Sequence, residues 1–360
     1  MTYTHNRNWG CRISDDHTIR GMRTLVMENE LLRISILLDK GTDIYEFLYK
    51  PHDVDFMWRG PQELRDPRTT IPPSPRPDGY FQDYYFGGWQ EIFPNGGVHH
   101  DYKGVEHGQH GEISTVPWEC RIEVDREDEV AAKMWTRTYR TPFYIEKTLR
   151  LRAGVAALFF EERIVNEGCE EMECMWGHHP AFGHPFLDSS CRIDVPATRV
   201  EVHSPLTGGT NRLAPGATFD SFPIVKDIDG NDFDLSAVPP PEAKTSEMCY
   251  LLGLDDGWYA LTNTRRKVGF GMRWDKKLFP VVWLWEVFGG GFGYPWYGRT
   301  YNLALEPWTS FPGGMANALA RDTTLKLKAG ESRETKLLAC AYDGVSRVSK
   351  IKDDGSVEGK

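Results

Sequence analysis

The segment MWGHHPAFGHP, residues 175–185, sets His178, His179 and His184 among Trp176, Phe182 and two prolines. A second window, NGGVHHDYKGVEHGQHGEIS at 95–114, holds His99, His100, His107 and His110 with Glu106 and Glu112. Seven of the eleven histidines therefore fall in two short stretches. Imidazole changes charge nearest neutral pH, so such grouping suits proton transfer or metal ligation, and a buried ring must find hydrogen-bond partners. Glu306, in YNLALEPWTSFPGG (301–314), supplies a carboxylate at the end of an apolar alternating run and close to Trp308. Partial desolvation there raises its pKa and makes it a better base. The stretch WLWEVFGGGFGYPWYG (283–298) adds Trp283, Trp285, Trp296 and three consecutive glycines. Aromatic faces edged by polar groups suit the C–H surface of a sugar, and glycines let backbone come close.

A metal centre is the competing use of the histidines. His107 and His110 with Glu112 have a ligand-like composition, but period-2 geometry sends His107 and His110 to opposite faces of a strand. The seven cysteines show no CxxC spacing, which argues against a zinc site and against a disulfide framework. The expectation is reduced thiols, with a metal centre kept as the alternative use of the histidines.

The elements that must carry these side chains are strands. Alternating and β-branched runs recur at 31–39, 43–50, 129–139, 143–152, 157–166, 268–275, 280–288 and 323–342, while long amphipathic helical patterns are absent. AGVA (153–156) reads as a hairpin turn, and LKAGES (327–332) as a second. Residues 59–117 and 203–247 read as long functional loops. The prediction is an all-β chain: one large antiparallel sandwich over 1–345 and a solvated tail over 346–360, with a split near residue 200 as runner-up.

Of 360 residues, 40% are hydrophobic and 12% aromatic, and the net charge is −10, so the chain is globular and has no basic stripe for nucleic acid. The opening MTYTHNRNWGCRISDD lacks the pattern of a secretory signal, and no window has the ~18 apolar residues of a membrane span. The expectation is a cytoplasmic protein with neither nucleic-acid nor membrane partner; a homo-oligomer stays open.

Five segments in order, GTDIYEFLYK, IFPNGG, HGQHGEISTVPW, IVNEGCEEMECMWGHHPAFG and LALEPW, resemble the aldose 1-epimerase (galactose mutarotase-like) superfamily, over about residues 25–342. The resemblance implies a galactose mutarotase-like supersandwich and an enzyme that interconverts sugar anomers without metal or cofactor. It implies His179 as general acid, Glu306 as general base, and His110 as a ligand of the sugar near its ring oxygen. His178, Trp176, Phe182, Trp296 and Trp308 complete the expected substrate site. Gly96 stands where the family carries an arginine, so Arg59 or Arg299 is expected to substitute, and HHPAFG marks a divergent branch. Two alternatives accompany this reading: a non-catalytic carbohydrate-binding sandwich, and a metal-dependent sugar isomerase or lyase built on His99–Glu112.

Overall fold

The computed structural model describes residues 7–71, 77–205 and 209–360. Residues 1–6 of the opening segment, 72–76 of the first long loop and 206–208 of the second lie outside the described residues. Two antiparallel sheets make the body, as the alternation predicts. Among the described residues the larger sheet has twelve strands, and its middle runs in the spatial order Asp43–Tyr49, Trp89–Ile92, Gly177–Phe182, Tyr301–Trp308, Val281–Phe288, Thr245–Leu252 and Arg199–Val202. The second, eight-stranded sheet is centred on Phe143–Arg152, Ala157–Asn166 and Ser332–Asp343.

Strict alternation explains the layering. Along Phe143–Arg152, Phe143, Ile145, Lys147, Leu149 and Leu151 are buried between the sheets, while the residues between them are half-exposed. AGVA closes the hairpin to Ala157–Asn166, whose Leu158, Phe160 and Ile164 meet the same core. That core is one apolar cluster running from Cys11 to Ala341. A smaller cluster lies on the other face of the large sheet and includes Trp58, Phe81, Tyr85, Ala181, Trp283, Ala304 and Trp308. Tyr85 of this cluster and Trp285 beside it pack on the His179 ring.

Two expectations need correction. The run at 323–342 is not one hairpin, because Leu325–Leu327 pairs with Met172–Cys174 while Ser332–Asp343 pairs with Ala157–Asn166. LKAGES therefore passes the chain between sheets. The tail is also structured: Val348–Ile351 and Val357–Gly359 form a hairpin. Val348 and Ile351 are buried with Trp258, Ala260 and Cys340. Two apolar side chains three residues apart dock a segment whose other residues are polar.

Candidate active site

His179 lies on a strand whose six residues are all buried, so alternation there separates two buried faces. Register shows what each face meets. His179 is opposite Gln90 on one side. On the other, the pairs Gly177 with Trp308 and Ala181 with Ala304 set His179 opposite Glu306. The line continues through Trp283, Tyr250 and Glu201. It extends the other way to Asp43, because Ile44 pairs with Trp89 and Gln90 Nε2 donates to Asp43 Oδ2 at 3.0 Å. Asp43, Gln90, His179, Glu306, Trp283, Tyr250 and Glu201 thus form one row across seven strands.

At its centre His179 Nε2 is 3.4 Å from Glu306 Oε1, with the residues 4% and 2% exposed. Trp308 Nε1 donates to Glu306 Oε2 at 2.9 Å, and the Tyr85 hydroxyl is 3.4 Å from His179 Nδ1. Burial pushes Glu306 up to about 8, against the pull of the Trp308 N–H. Burial also pushes His179 down to about 4. Near neutral pH the pair therefore holds one proton, which rests on Glu306; a hop across the contact converts this neutral pair into imidazolium and carboxylate.

His110 joins the site from a loop. Its backbone is left-handed, with φ 58°, and its ring lies 5.6 Å from that of His179 and 4.6 Å from that of Phe81. Its Nδ1 accepts the Gly97 N–H at 3.2 Å, which leaves the ring hydrogen on Nε2. Burial and the nearby His179 hold its pKa well below the ordinary value, so it is a neutral donor.

Rings roof the pair. Tyr85 lies 5.4 Å from the His179 ring and Trp285 5.6 Å; Trp296 packs on Trp285 at 5.5 Å and on Trp58 at 5.8 Å. Trp285 and Trp296 are half-buried. Trp308 stacks on Trp283 with centroids 4.1 Å apart. Any Cβ at Gly177 or Gly96 would lie 2.2 or 2.4 Å from the Trp308 ring. The arginine expected near Gly96 is missing because two indoles fill its space.

Sequence reasoning therefore brings His179, Glu306, His110, Trp308 and Trp296 together, and it misplaces four residues. Trp176, His178 and Phe182 share the opposite parity of the strand and face the core. His178 Nδ1 accepts from Trp89 Nε1 at 3.3 Å, and its Nε2 is 3.1 Å from Glu162. Trp176 Nε1 donates to Glu91, which pairs with Lys147 at 2.8 Å; Phe182 packs on Phe270. Arg59 is engaged by Asp55 at 2.7 Å and lies over the Tyr45 ring, while Arg299 is exposed beside Tyr297. Neither fills the arginine's place. Tyr85, Gln90 and Asp43 were missed.

The His99–Glu112 window is dispersed. The Glu112 carboxylate accepts from the Tyr139 and Arg140 backbone and from the Thr141 hydroxyl, and His107 is buried away from His110. Among the described residues no three His, Cys, Asp or Glu side chains are arranged to hold a metal ion. A groove of about 690 Å³ lies elsewhere, on the second sheet, but its Lys133, Arg163 and Lys336 are paired with Glu146, Glu334 and Glu161. Such a face is a salt-bridged, solvated surface.

The molecule is an all-β sandwich with a buried His–Glu pair on one sheet face, and similarity to known proteins agrees on the fold. A "putative aldose 1-epimerase" from Klebsiella pneumoniae superposes with a TM-score of 0.71 at 15% identity, over 92% of this chain and 83% of that one. Another from Escherichia coli K12 gives 0.60 at 15% identity, over 90% and 100%. A galactose mutarotase-like protein from Clostridium acetobutylicum gives 0.60 at 12%, over 93% and 99%. No curated protein matches the sequence. The chain belongs to the family described as Domain of unknown function (DUF4432), matched over residues 19–339, and it has the galactose mutarotase-like fold. No described helix is long and apolar enough to cross a membrane.

Proposed function

We propose that the protein interconverts the α and β anomers of a sugar by acid–base opening and reclosure of the hemiacetal ring. The observation that carries this reading is the buried contact between His179 and Glu306, a histidine and a carboxylate of opposed pKa shifts on adjacent strands. A pair that only bound sugar would have no need to hold a transferable proton.

Ring opening needs a proton delivered to the ring oxygen and one removed from the anomeric hydroxyl, two oxygens on the same carbon. His179 as imidazolium gives its proton to the ring oxygen; Glu306 as carboxylate takes the hydroxyl proton. The C1–O5 bond breaks as the carbonyl forms, the open chain rotates about C1–C2, and reclosure returns both protons. In the empty site the shared proton rests on Glu306, and a sugar's hydroxyls supply the polarity that draws it across to His179. His110 offers its Nε2–H to the substrate near the ring oxygen. Trp296, with Trp285, gives the sugar an apolar wall. Neither metal nor cofactor has a step in this scheme. The seven free cysteines suit a reducing, cytoplasmic setting.

The test is polarimetric or NMR mutarotation of anomerically pure glucose, galactose, mannose, xylose and arabinose, with and without a chelator. Catalysis of at least one sugar, unchanged by the chelator, is expected. Rates equal to buffer for a wide panel would refute an epimerase, and loss on chelation with recovery on adding a divalent ion would favour the metal-dependent alternative.

A further inference from the structure

The row does not end at His179. Gln90 and Asp43 continue it on the side away from Glu306, both 0% exposed, and each has an oxygen with no partner among the described residues: Gln90 Oε1 and Asp43 Oδ1. Their other atoms are fixed. Gln90 Nε2 donates to Asp43 Oδ2 and to the Gly87 carbonyl at 2.7 Å. Lys40 Nζ, itself buried, contacts Asp43 Oδ2 at 2.5 Å and lies over the Phe86 ring. A buried acceptor left unpaired costs about 1–3 kcal/mol, and here two stand next to each other beside the His179–Glu306 pair. Burial raises the Tyr85 phenol well above its ordinary pKa, and the nearby Glu306 and Asp43 carboxyls add to that rise.

We infer that Asp43 and Gln90 form a hydroxyl-reading subsite that binds the part of the sugar remote from its anomeric carbon, an inference that rests on the epimerase reading of His179 and Glu306. Strand spacing of ~4.8 Å puts Gln90 one step and Asp43 two steps from His179. That span matches a single monosaccharide whose C1 and ring oxygen lie at His179 and Glu306. Two adjacent acceptors on a rigid mount call for donors on neighbouring carbons, so the substrate class is an aldose with free hydroxyls at that end. A phosphate or carboxylate there would meet acceptor oxygens, and the cation beside them, Lys40, is already committed to Asp43.

The test uses Asp43→Asn and Gln90→Leu with the sugar that wild type converts fastest, with its monodeoxy analogues, and with its 6-phosphate and uronate forms. Each variant should raise KM about 10–100-fold while kcat falls less than about threefold, because the subsite is remote from the reacting atoms. One deoxy analogue should cost wild type a similar factor and cost the matching variant almost nothing more. A purely structural role would lower the rate for every sugar alike and leave the deoxy penalty intact, which would overturn the inference. So would turnover of the 6-phosphate or uronate form as fast as the neutral sugar. In parallel, sugar binding to Glu306→Gln is followed by tryptophan fluorescence, with and without Asp43→Asn. If wild type turns over nothing but this binding depends on Asp43, the epimerase reading fails and the subsite stands. If turnover is present and both variants match wild type, the subsite alone fails. Should Asp43→Asn not fold with Lys40 left uncompensated, Lys40→Met/Asp43→Asn carries the same comparison.

Discussion

His178 and His179 are chain neighbours, both buried, and each faces a buried glutamate, yet the two pairs are built for different ends. On the core side His178 is locked: Trp89 holds one ring nitrogen, Glu162 the other, and Glu91 and Lys147 complete a network joining the two sheets. Burial raises Glu162, whereas for Glu91 the attraction of Lys147 and His178 outweighs burial and lowers it. On the site side His179 meets Glu306 and Tyr85 through contacts of 3.4 Å each, beneath half-buried rings. The difference teaches that burial and a His–Glu pairing do not identify a catalytic dyad by themselves. Slack contacts beneath half-buried rings and opposed pKa shifts set the proposed His179–Glu306 dyad apart, whereas an unpaired oxygen does not, since Glu162 Oε1 on the core side also lacks a partner among the described residues.

Exchanging the two sides by mutation gives the largest expected effects. His179→Asn and Glu306→Gln keep approximate shape and abolish proton transfer, so turnover should fall ~10²–10⁴-fold while the proteins stay folded. His178→Asn or Glu162→Gln breaks a buried pair and should cost roughly 3–5 kcal/mol of stability, while activity per folded molecule changes little. Thermal unfolding and mutarotation on the same preparations separate the two outcomes. A folded His178→Asn enzyme as inactive as His179→Asn would collapse the distinction between the faces.

The two faces were not equally legible in the sequence. His179 and Glu306 stand out because a polar residue in an apolar alternating run needs a reason, and the all-β body follows from runs such as FYIEKTLRLR. Their companions were hidden by topology: Asp43, Gln90, His179 and Glu306 are far apart in the chain and meet only through strand order. Lys40 and Asp43 lie inside GTDIYEF and its flank, where nothing local marks them as neighbours of residue 179. Trp176, His178 and Phe182 were misplaced although the signal was present, since choosing residue 179 for one face commits the even-numbered residues of that strand to the other. Gly96 was an unexplained departure until Trp308 and Trp283 were seen to occupy its side-chain space.

The shared proton sharpens the comparison through pH. The pair needs one proton to act: with two it has no base, and with none it has no acid. Activity should therefore follow a bell whose acid limb lies near the His179 value of about 4 and whose alkaline limb lies near the Glu306 value of about 8. The limbs belong to the pair, so they stand whichever group holds the proton at rest. The sign for stability is separate. A carboxyl raised in the folded state stabilises it fully below the unfolded value of ~4.3 and loses that contribution as pH rises through about 8. Glu306→Gln should flatten the alkaline loss of stability, and pH-dependent denaturation curves check this. A kcat profile flat from pH 5 to 10 would mean that the pair does not titrate in turnover.

The smallest effect probes the single hydrogen bond that distinguishes Glu306 from an ordinary buried carboxyl. Trp308 Nε1 donates to Glu306 Oε2 at 2.9 Å and favours the ionised form, opposing the upward push of burial. Trp308→Phe removes that donor but keeps an aromatic ring against Trp283 and over Gly177, so the stack is largely preserved. With the carboxylate less stabilised, the Glu306 pKa should rise further, moving the alkaline limb to higher pH by roughly half a unit to one unit. The same change leaves less of the pair in the carboxylate–imidazolium form that opens the ring, so kcat at pH 7 should fall several-fold without a comparable change in KM. The His179 shift does not depend on the indole, so the acid limb should stay close to wild type, while the space the smaller ring leaves beside Gly96 should lower the unfolding temperature. A shift of the alkaline limb to lower pH would show that the indole acts on Glu306 chiefly by excluding water, and that its N–H contributes little.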